Sequence, residues 1–516
     1  MLVPGLLLLL LLALLPLARG SVCEPRHFGS DSVVCVCSAL TCDFPGVIQA
    51  PDAPFFTSVT STRDGLRFHV ETDLLASEQS DANVKVMVNH DLQYQTMVGF
   101  GGAFTDATGI NVNTLPEDAQ DQLLKSYFSP EGLEYNLCRI PIAGSDFSAR
   151  PYSYDDVEGD IELKHFNLTE EDYMYKLPLI HRAQELAEKD LLLFGSPWSP
   201  PAWMKENGMF NGSGGLLKEM WQPWSDYFVK FVEAYEAEGV PIWGLTTQNE
   251  PLTGFDDWYW NTCAWSAEDQ RDWIKTNLGP TLEDANLRRL KLMIVDHNRD
   301  TLPWYPSTIL EDEESRQYVD GIALHWYADD WAQPSLMDEI HSLFPDKFLL
   351  YTESCEGWDA APDQRVVLGA WDRAESYASN IIEDTNHWAT GWVDWNMALD
   401  TAGGPNWANN FVDSPIIIDR STGEFYKQPT FYALGHFSKF VSPGAVRVYS
   451  SVAGSSMFQA AAFRNPDNTT ALVLLNVEET PESVLVDTGR DGDYVNFDMP
   501  AKAIITFLYQ SPAAAA

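Results

Sequence analysis

Residues 242–251 read Ile242-Trp243-Gly244-Leu245-Thr246-Thr247-Gln248-Asn249-Glu250-Pro251. An apolar run, Ile242 to Leu245, gives way to polar residues and then to Asn249-Glu250-Pro251. A parallel strand looks like this as it leaves a buried sheet and presents polar groups at its C-terminal end. Pro251 stops the strand and favours an extended backbone at Glu250. Taken alone, Asn-Glu-Pro is also what an ordinary polar turn shows, so the reading depends on whether the pattern recurs.

It recurs on both sides. Apolar runs fall at Met97–Gly101, Leu137–Ile142, Leu191–Phe194, Ile242–Leu245, Leu290–Val295, Gly321–Leu324, Phe348–Tyr351 and Trp392–Ala398. Amphipathic helical patterns follow several of them. One opens at Thr169-x-x-Asp172, a capping-box-like start, and carries Ile180, Ala183 and Ala187 on one face. Another begins at Ser266 and runs through Trp273 and Leu278. Strand alternating with helix predicts a parallel sheet. Eight units predict an α/β fold with a closed (β/α)8 TIM barrel over 96–440. Gly99-Phe-Gly-Gly lacks the Gly-x-Gly-x-x-Gly spacing, which argues against a dinucleotide site.

Outside the barrel the pattern is strand only. Leu66–Val70 and Val84–Val88 alternate within 51–95. Past residue 440 come Val446–Val452, Met457–Phe463, Ala471–Asn476, Val484–Asp487, Tyr494–Phe497 and Ala503–Tyr509. Both sets are assigned to one accessory β-sandwich, its C-terminal part spanning 441–510, with 511–516 as a frayed tail. Residues 1–20 read as a signal peptide: Leu6–Leu15, then Pro16 and Ala18-Arg19-Gly20. The run is short for a membrane span.

Residues 21–50 hold Cys23, Cys35, Cys37 and Cys42. After secretory entry these read as two bridges, with three possible pairings. A zinc site is the rival, but Cys-x-Cys without a His pair fits tetrahedral zinc poorly. Asn167, Asn211 and Asn468 head glycosylation sequons. The net charge is −43, from 75 acidic against 32 basic residues, a field that repels nucleic acid and argues against phosphate-contact roles. The 18 Trp supply core and also sugar-stacking surfaces.

In a barrel, chemistry sits at the C-terminal strand ends. Those ends supply Thr105-Asp106, Arg139, Trp198, Asn249-Glu250, Asp296-His297, His325-Trp326-Tyr327, Glu353 and Asp394-Trp395-Asn396. Two Glu, at ends four and seven, face across the mouth. Glycosidic cleavage needs one carboxyl to protonate the leaving oxygen and one carboxylate to attack. Asn249 is placed to bond a sugar hydroxyl; Trp198, Tyr327 and Trp395 are placed to stack on a ring. Arg139 would keep a neighbouring carboxylate ionised. His325 has no second His at ligand spacing, so it reads as a structural or supporting residue, with no metal or cofactor expected. No Gly-x-Ser-x-Gly occurs at these ends.

Several motifs together carry a family resemblance. They are Gly99-Phe-Gly-Gly-Ala-Phe-Thr-Asp106, Lys125-Ser-Tyr-Phe-Ser, Arg139-Ile-Pro, Ser196-Pro-Trp-Ser, Thr246-Thr-Gln-Asn-Glu-Pro251, Gln270-Arg-Asp, His325-Trp-Tyr, Thr352-Glu-Ser-Cys and Asp394-Trp-Asn through Asp413-Ser-Pro. The chain resembles the glucosylceramidases, the lysosomal acid β-glucosidases of glycoside hydrolase family 30, over nearly its whole mature length. The resemblance implies Glu250 as acid/base and Glu353 as nucleophile of a retaining reaction. It implies glucose held by Asp106, Trp198, Asn249, Trp395 and Asn406, and bridges Cys23–Cys35 and Cys37–Cys42. It also implies glucosylceramide as substrate, a saposin-type activator and acidic lipid as partners, and a lysosomal destination. The acidity and the aromatic, acidic loop Leu252–Trp265 depart from the family pattern, which points to that loop for aglycone preference.

Overall fold

The computed structural model describes residues 22–512. The expected signal peptide and residues 513–516 of the expected tail lie outside the described residues.

Eight parallel strands close into a barrel: β1 (Gly99–Ala103), β2 (Leu137–Ile142), β3 (Leu192–Pro197), β4 (Gly244–Thr246), β5 (Lys291–Asn298), β6 (Gly321–His325), β7 (Phe348–Glu353) and β8 (Ala389–Asn396). Each pairs with the next in sequence, and β8 closes onto β1. Strand β4 covers only the end of its apolar run, and the polar residues after Thr246 are a turn. The helix expected from Ser266 through Leu278 forms as an α-helix, Ala267–Trp273, that continues as a π-helical turn, Ile274–Leu278, with the Ser266 side chain accepting from the Asp269 amide at 3.0 Å.

Strand periodicity explains what fills the barrel. Leu137, Phe194, Met293, Ala323, Leu350 and Val393 pack together as an apolar floor. Two positions on, the same inward faces carry Arg139, Ser196, His325 and Thr352, all buried. Strand β5 departs from this period. Its pairing with β6 shifts between Val295 and His297, and Val295 and Asp296 take φ of 77° and 47°. This bulge makes Asp296, three positions beyond Met293, the next inward side chain.

The accessory domain is a β-sandwich whose main sheet has nine strands. In spatial order they are Tyr494–Met499, Glu482–Asp487, Val84–Thr96, Val446–Ala453, Phe458–Arg464, Thr469–Asn476, Ala503–Gln510, Phe55–Thr62 and His69–Leu74. Strands from both chain ends therefore share it. The expected strand Leu66–Val70 is corrected: Phe68 turns at φ 45°, and the strand begins at His69. The tail was expected to fray from 511, but Ser511 is buried, donating its amide to the Asn468 carbonyl at 2.9 Å.

A third, five-stranded sheet joins the N-terminal segment to the stretch after β8. Its order is Pro25–Arg26, Val34–Cys37, Glu424–Lys427, Ile416–Asp419 and Ala398–Asp400. The bridges pair Cys23 with Cys35 and Cys37 with Cys42, while Cys138, Cys263 and Cys355 are free and buried. Asn167 and Asn468 are exposed and Asn211 is half-buried. Among the described residues, no helix is long and apolar enough to cross a membrane.

Candidate active site

The barrel mouth holds a cleft of about 380 Å³. Glu250, Glu353, Asn249, Trp198, Tyr327 and Trp395 line it, as do Asp146, Asn410, Trp258, Trp260, His297 and Trp358. One oxygen of Glu250, one of Glu353 and one nitrogen of His325 lie within 4.8 Å of one another.

Asp296, turned inward by the bulge, is the hub beneath them. Its Oδ2 accepts from Arg139 and from Thr246, each at 2.7 Å. Its Oδ1 accepts from Thr352 at 2.7 Å and bonds His325 Nε2 at 3.0 Å. With all four acceptor sites filled, Arg139 and His325 overcome the cost of burial and hold Asp296 well below the ordinary carboxylate range.

From this hub run two arms. Arg139 donates through Nη1 to Glu353 Oε2, through Nη2 to Asn249 Oδ1 at 2.8 Å and through Nε to Ser196 at 3.0 Å. Its guanidinium carbon also lies 4.6 Å from the Trp198 ring centre, and Trp198 stacks on Trp395 with centroids 4.9 Å apart. The second arm is His325, whose Nδ1 meets Glu250 Oε1 at 3.3 Å. Burial alone would lower this histidine, but Glu353, Asp296 and Glu250 raise it to about 9. As an imidazolium with both nitrogens engaged, it has no lone pair for a metal. Tyr327 donates to the other oxygen of Glu353 at 2.9 Å.

Glu250 itself sits on a constrained backbone. Pro251 was expected to leave it extended; instead φ is 45°. Proline disfavours the right-handed α region at the preceding residue. Here the amide of Glu250 is claimed by the Asp296 carbonyl at 2.9 Å and its carbonyl by the Thr253 hydroxyl at 2.6 Å. Those bonds hold the left-handed turn that aims the side chain into the cleft.

Two expected binding residues lie behind the wall. Asp106 is buried in the first turn of the helix Asp106–Val112. It accepts from Ser148 at 2.6 Å and Tyr152 at 2.9 Å and pairs with Lys176 at 3.6 Å. Asn406 donates to Asp146 Oδ2 at 3.1 Å, and its own Oδ1 accepts the Asn410 amide at 3.1 Å. The cleft residues are their neighbours. Asp146 and Asn410 line the cavity, joined at 3.0 Å. Burial pushes Asp146 up to about 7, against its bond from Asn410. Asp146 and Asn410 were missed because both lie in loops beyond the strand ends. The available signal was the cluster Ser145-Asp146-Phe147-Ser148 just past β2.

An acid, an ionisable partner within 4.8 Å, amide and carboxyl groups for hydroxyls, and indole faces suit a pyranoside. Comparison with known proteins agrees with that chemistry. Residues 97–441 match the glycosyl hydrolase family 30 TIM-barrel domain, and residues 444–507 match the family 30 beta sandwich domain. A putative glucosylceramidase 4 of Caenorhabditis elegans is 43% identical over 487 residues, 93% of each chain. The lysosomal acid glucosylceramidase of Mus musculus is 40% identical over 497 residues, 95% of each. The crystal structure of SrfJ from Salmonella typhimurium superposes with a TM-score of 0.82 at 27% identity, covering 89% of this chain and all of that one. The chain is a glycoside hydrolase and belongs to glycosyl hydrolase family 30.

Proposed function

We propose that this enzyme is a retaining β-glucosidase that hydrolyses glucosylceramide to glucose and ceramide. The observation that carries the mechanism is the approach of Glu250 and Glu353 within 4.8 Å. Retaining enzymes hold their carboxyls about 5–5.5 Å apart, and inverting ones about 6.5–9.5 Å to admit a water. In this reading Glu353 attacks the anomeric carbon while Glu250 protonates the departing oxygen. Glu250, now a base, then activates the water that frees glucose. The glucose ring lies against Trp198 and Trp395, with Asp146, Asn410 and the free NH2 end of Asn249 on its hydroxyls.

The titration of the free pair runs partly against these roles. Burial pushes Glu353 up, against His325 and Arg139. Glu250 is lowered: burial would raise it, but the His325 bond outweighs that. The role assignment therefore rests on contacts. Arg139 and Tyr327 both donate to Glu353 and favour its anion, whereas Glu250 has one long bond to a charged partner. The names of the nematode and mouse relatives support the substrate. A saposin-type activator, an anionic lipid surface and the lysosome complete the reading.

The test is hydrolysis of glucosylceramide in detergent against cellobiose and xylan, with and without anionic lipid. Glucosylceramide should be preferred. Turnover of polysaccharide with none of the glycolipid would overturn the substrate. The variant Glu353→Gln should lose turnover by on the order of 10⁴-fold while staying folded; activity near wild type would remove Glu353 from its role.

A further inference from the structure

Cys355 is free, buried and on the cleft wall. It stands two residues past Glu353, on the same side of the chain leaving β7. Its Sγ lies 3.3 Å from the Tyr327 hydroxyl, and the same hydroxyl lies 2.9 Å from Glu353 Oε1. Building on the reading of Glu353 as nucleophile, we propose that the Cys355 thiol is a positioning group, donating its S–H to Tyr327 and so committing the phenol proton to Glu353.

The direction follows from proton inventory. An ionised carboxylate only accepts, and a phenol has one proton and two lone pairs. The Tyr327 proton therefore points at Glu353, and the remaining contact needs a proton from sulfur. Without that contact the hydroxyl is free to turn about its C–O bond. With it, the ends of β6 and β7 are tied through three polar atoms.

The two oxygens of Glu353 are then held unequally. Oε2 is bound by the buried Arg139 guanidinium and Oε1 by a neutral phenol. Oε1 is the oxygen more readily released to form the bond to the sugar. Once it is esterified it is a poorer acceptor, and Tyr327 must find another partner. Sulfur supplies one, since a thiol accepts as well as donates. Cys355 packs with Trp198, Trp395 and Val412, so the thiol is held in place by apolar contacts.

The experiment compares Cys355→Ala, Cys355→Ser, Tyr327→Phe and the double variant Tyr327→Phe/Cys355→Ala. The readouts are kcat and KM on an aryl β-glucoside and the rate of labelling by a 2-deoxy-2-fluoro-β-glucoside inactivator. Rates are normalised to titrated active sites, so incomplete folding does not mimic an effect. Cys355→Ala should lower kcat and the labelling rate about 3- to 10-fold, the worth of one hydrogen bond, with KM within about twofold. Cys355→Ser, which keeps a donor, should recover most of that loss. In the Tyr327→Phe background Cys355→Ala should cost nothing further. The proposal is overturned if serine is as slow as alanine, or if the alanine penalty persists without the phenol. Wild-type enzyme that does not label on Glu353 overturns the nucleophile assignment itself, an outcome distinct from either of those.

Discussion

The floor of the barrel and the layer above it are built on the same strands, two residues apart, and they have opposite characters. Below, Leu137, Phe194, Met293, Ala323, Leu350 and Val393 form a dry plug. Above, Arg139, Ser196, Thr246, Asp296, His325 and Thr352 form a lattice joined by hydrogen bonds and ion pairs. Apolar packing tolerates approximate shapes and stabilises by area removed from water. A buried polar lattice is worth little net stability, and it fails if one member is lost. The difference teaches where precision is kept: the floor sets the barrel, and the lattice sets two carboxyls.

Four measurements sharpen that division. The largest effect belongs to the mouth. Glu250→Gln should slow poor leaving groups by about 10²- to 10⁴-fold, the range for a lost general acid, and activated aryl glucosides far less. Equal losses on both would argue that Glu250 is not the acid. Next comes the hub. Asp296→Ala leaves Arg139 and His325 as uncompensated buried charges and should cost about 3–5 kcal/mol in denaturant unfolding. Stability unchanged by that variant would refute the hub. Leu350→Ala, in the floor, should cost about 2–5 kcal/mol, with kcat/KM per folded molecule unchanged. A large activity loss there would dissolve the distinction between the layers.

The smallest effect is that of pH on thermal stability. Asp296 has a depressed folded pKa, so its contribution is present above the ordinary aspartate value of 3.8 and is lost only in stronger acid. Asp146, Asp329 and Glu356 are raised by burial to about 7. Their contribution is complete below their unfolded values and is lost as pH rises through about 7. His325, raised to about 9, contributes fully below the ordinary histidine value of 6.5 and loses that contribution as pH rises from there through about 9. The net charge of −43 adds self-repulsion as carboxyls ionise. Melting by calorimetry should therefore be highest between about pH 4 and 6 and lower at pH 8. A Tm that climbs steadily to pH 8 would contradict the burial of these acids.

Much of this division was legible in the chain. Eight apolar runs located the barrel, because strands buried on both faces are mostly apolar along their length. Glu250 and Glu353 were legible for the same reason, as the first acids past runs four and seven. Asp106 shows where that rule misleads. It also follows a run, but it opens a helix, and Tyr152, Ser148 and Lys176 enclose it. Asp146 and Asn410 sit in loops fixed by contacts between distant segments, such as the Trp407 amide on the Asp146 carbonyl at 3.2 Å. No local periodicity encodes such contacts. The turn at Phe68 was hidden likewise, because Leu66–Val70 alternates like a strand while its backbone is shaped by the Ser61 hydroxyl, 3.2 Å from the Phe68 amide.

The bulge in β5 acts as a phase shift in an otherwise regular grating. Strands β2, β3, β6 and β7 step from floor to lattice by two residues, and β5 steps by three. Were the bulge drawn out into a regular pleat with every residue kept, Val295 would take the inward position two beyond Met293, and the acid that anchors both arms would face away from the interior. The two carboxyls of the cleft are thus keyed to one extra residue in β5, a spatial reading frame that substitution scanning alone would never reveal.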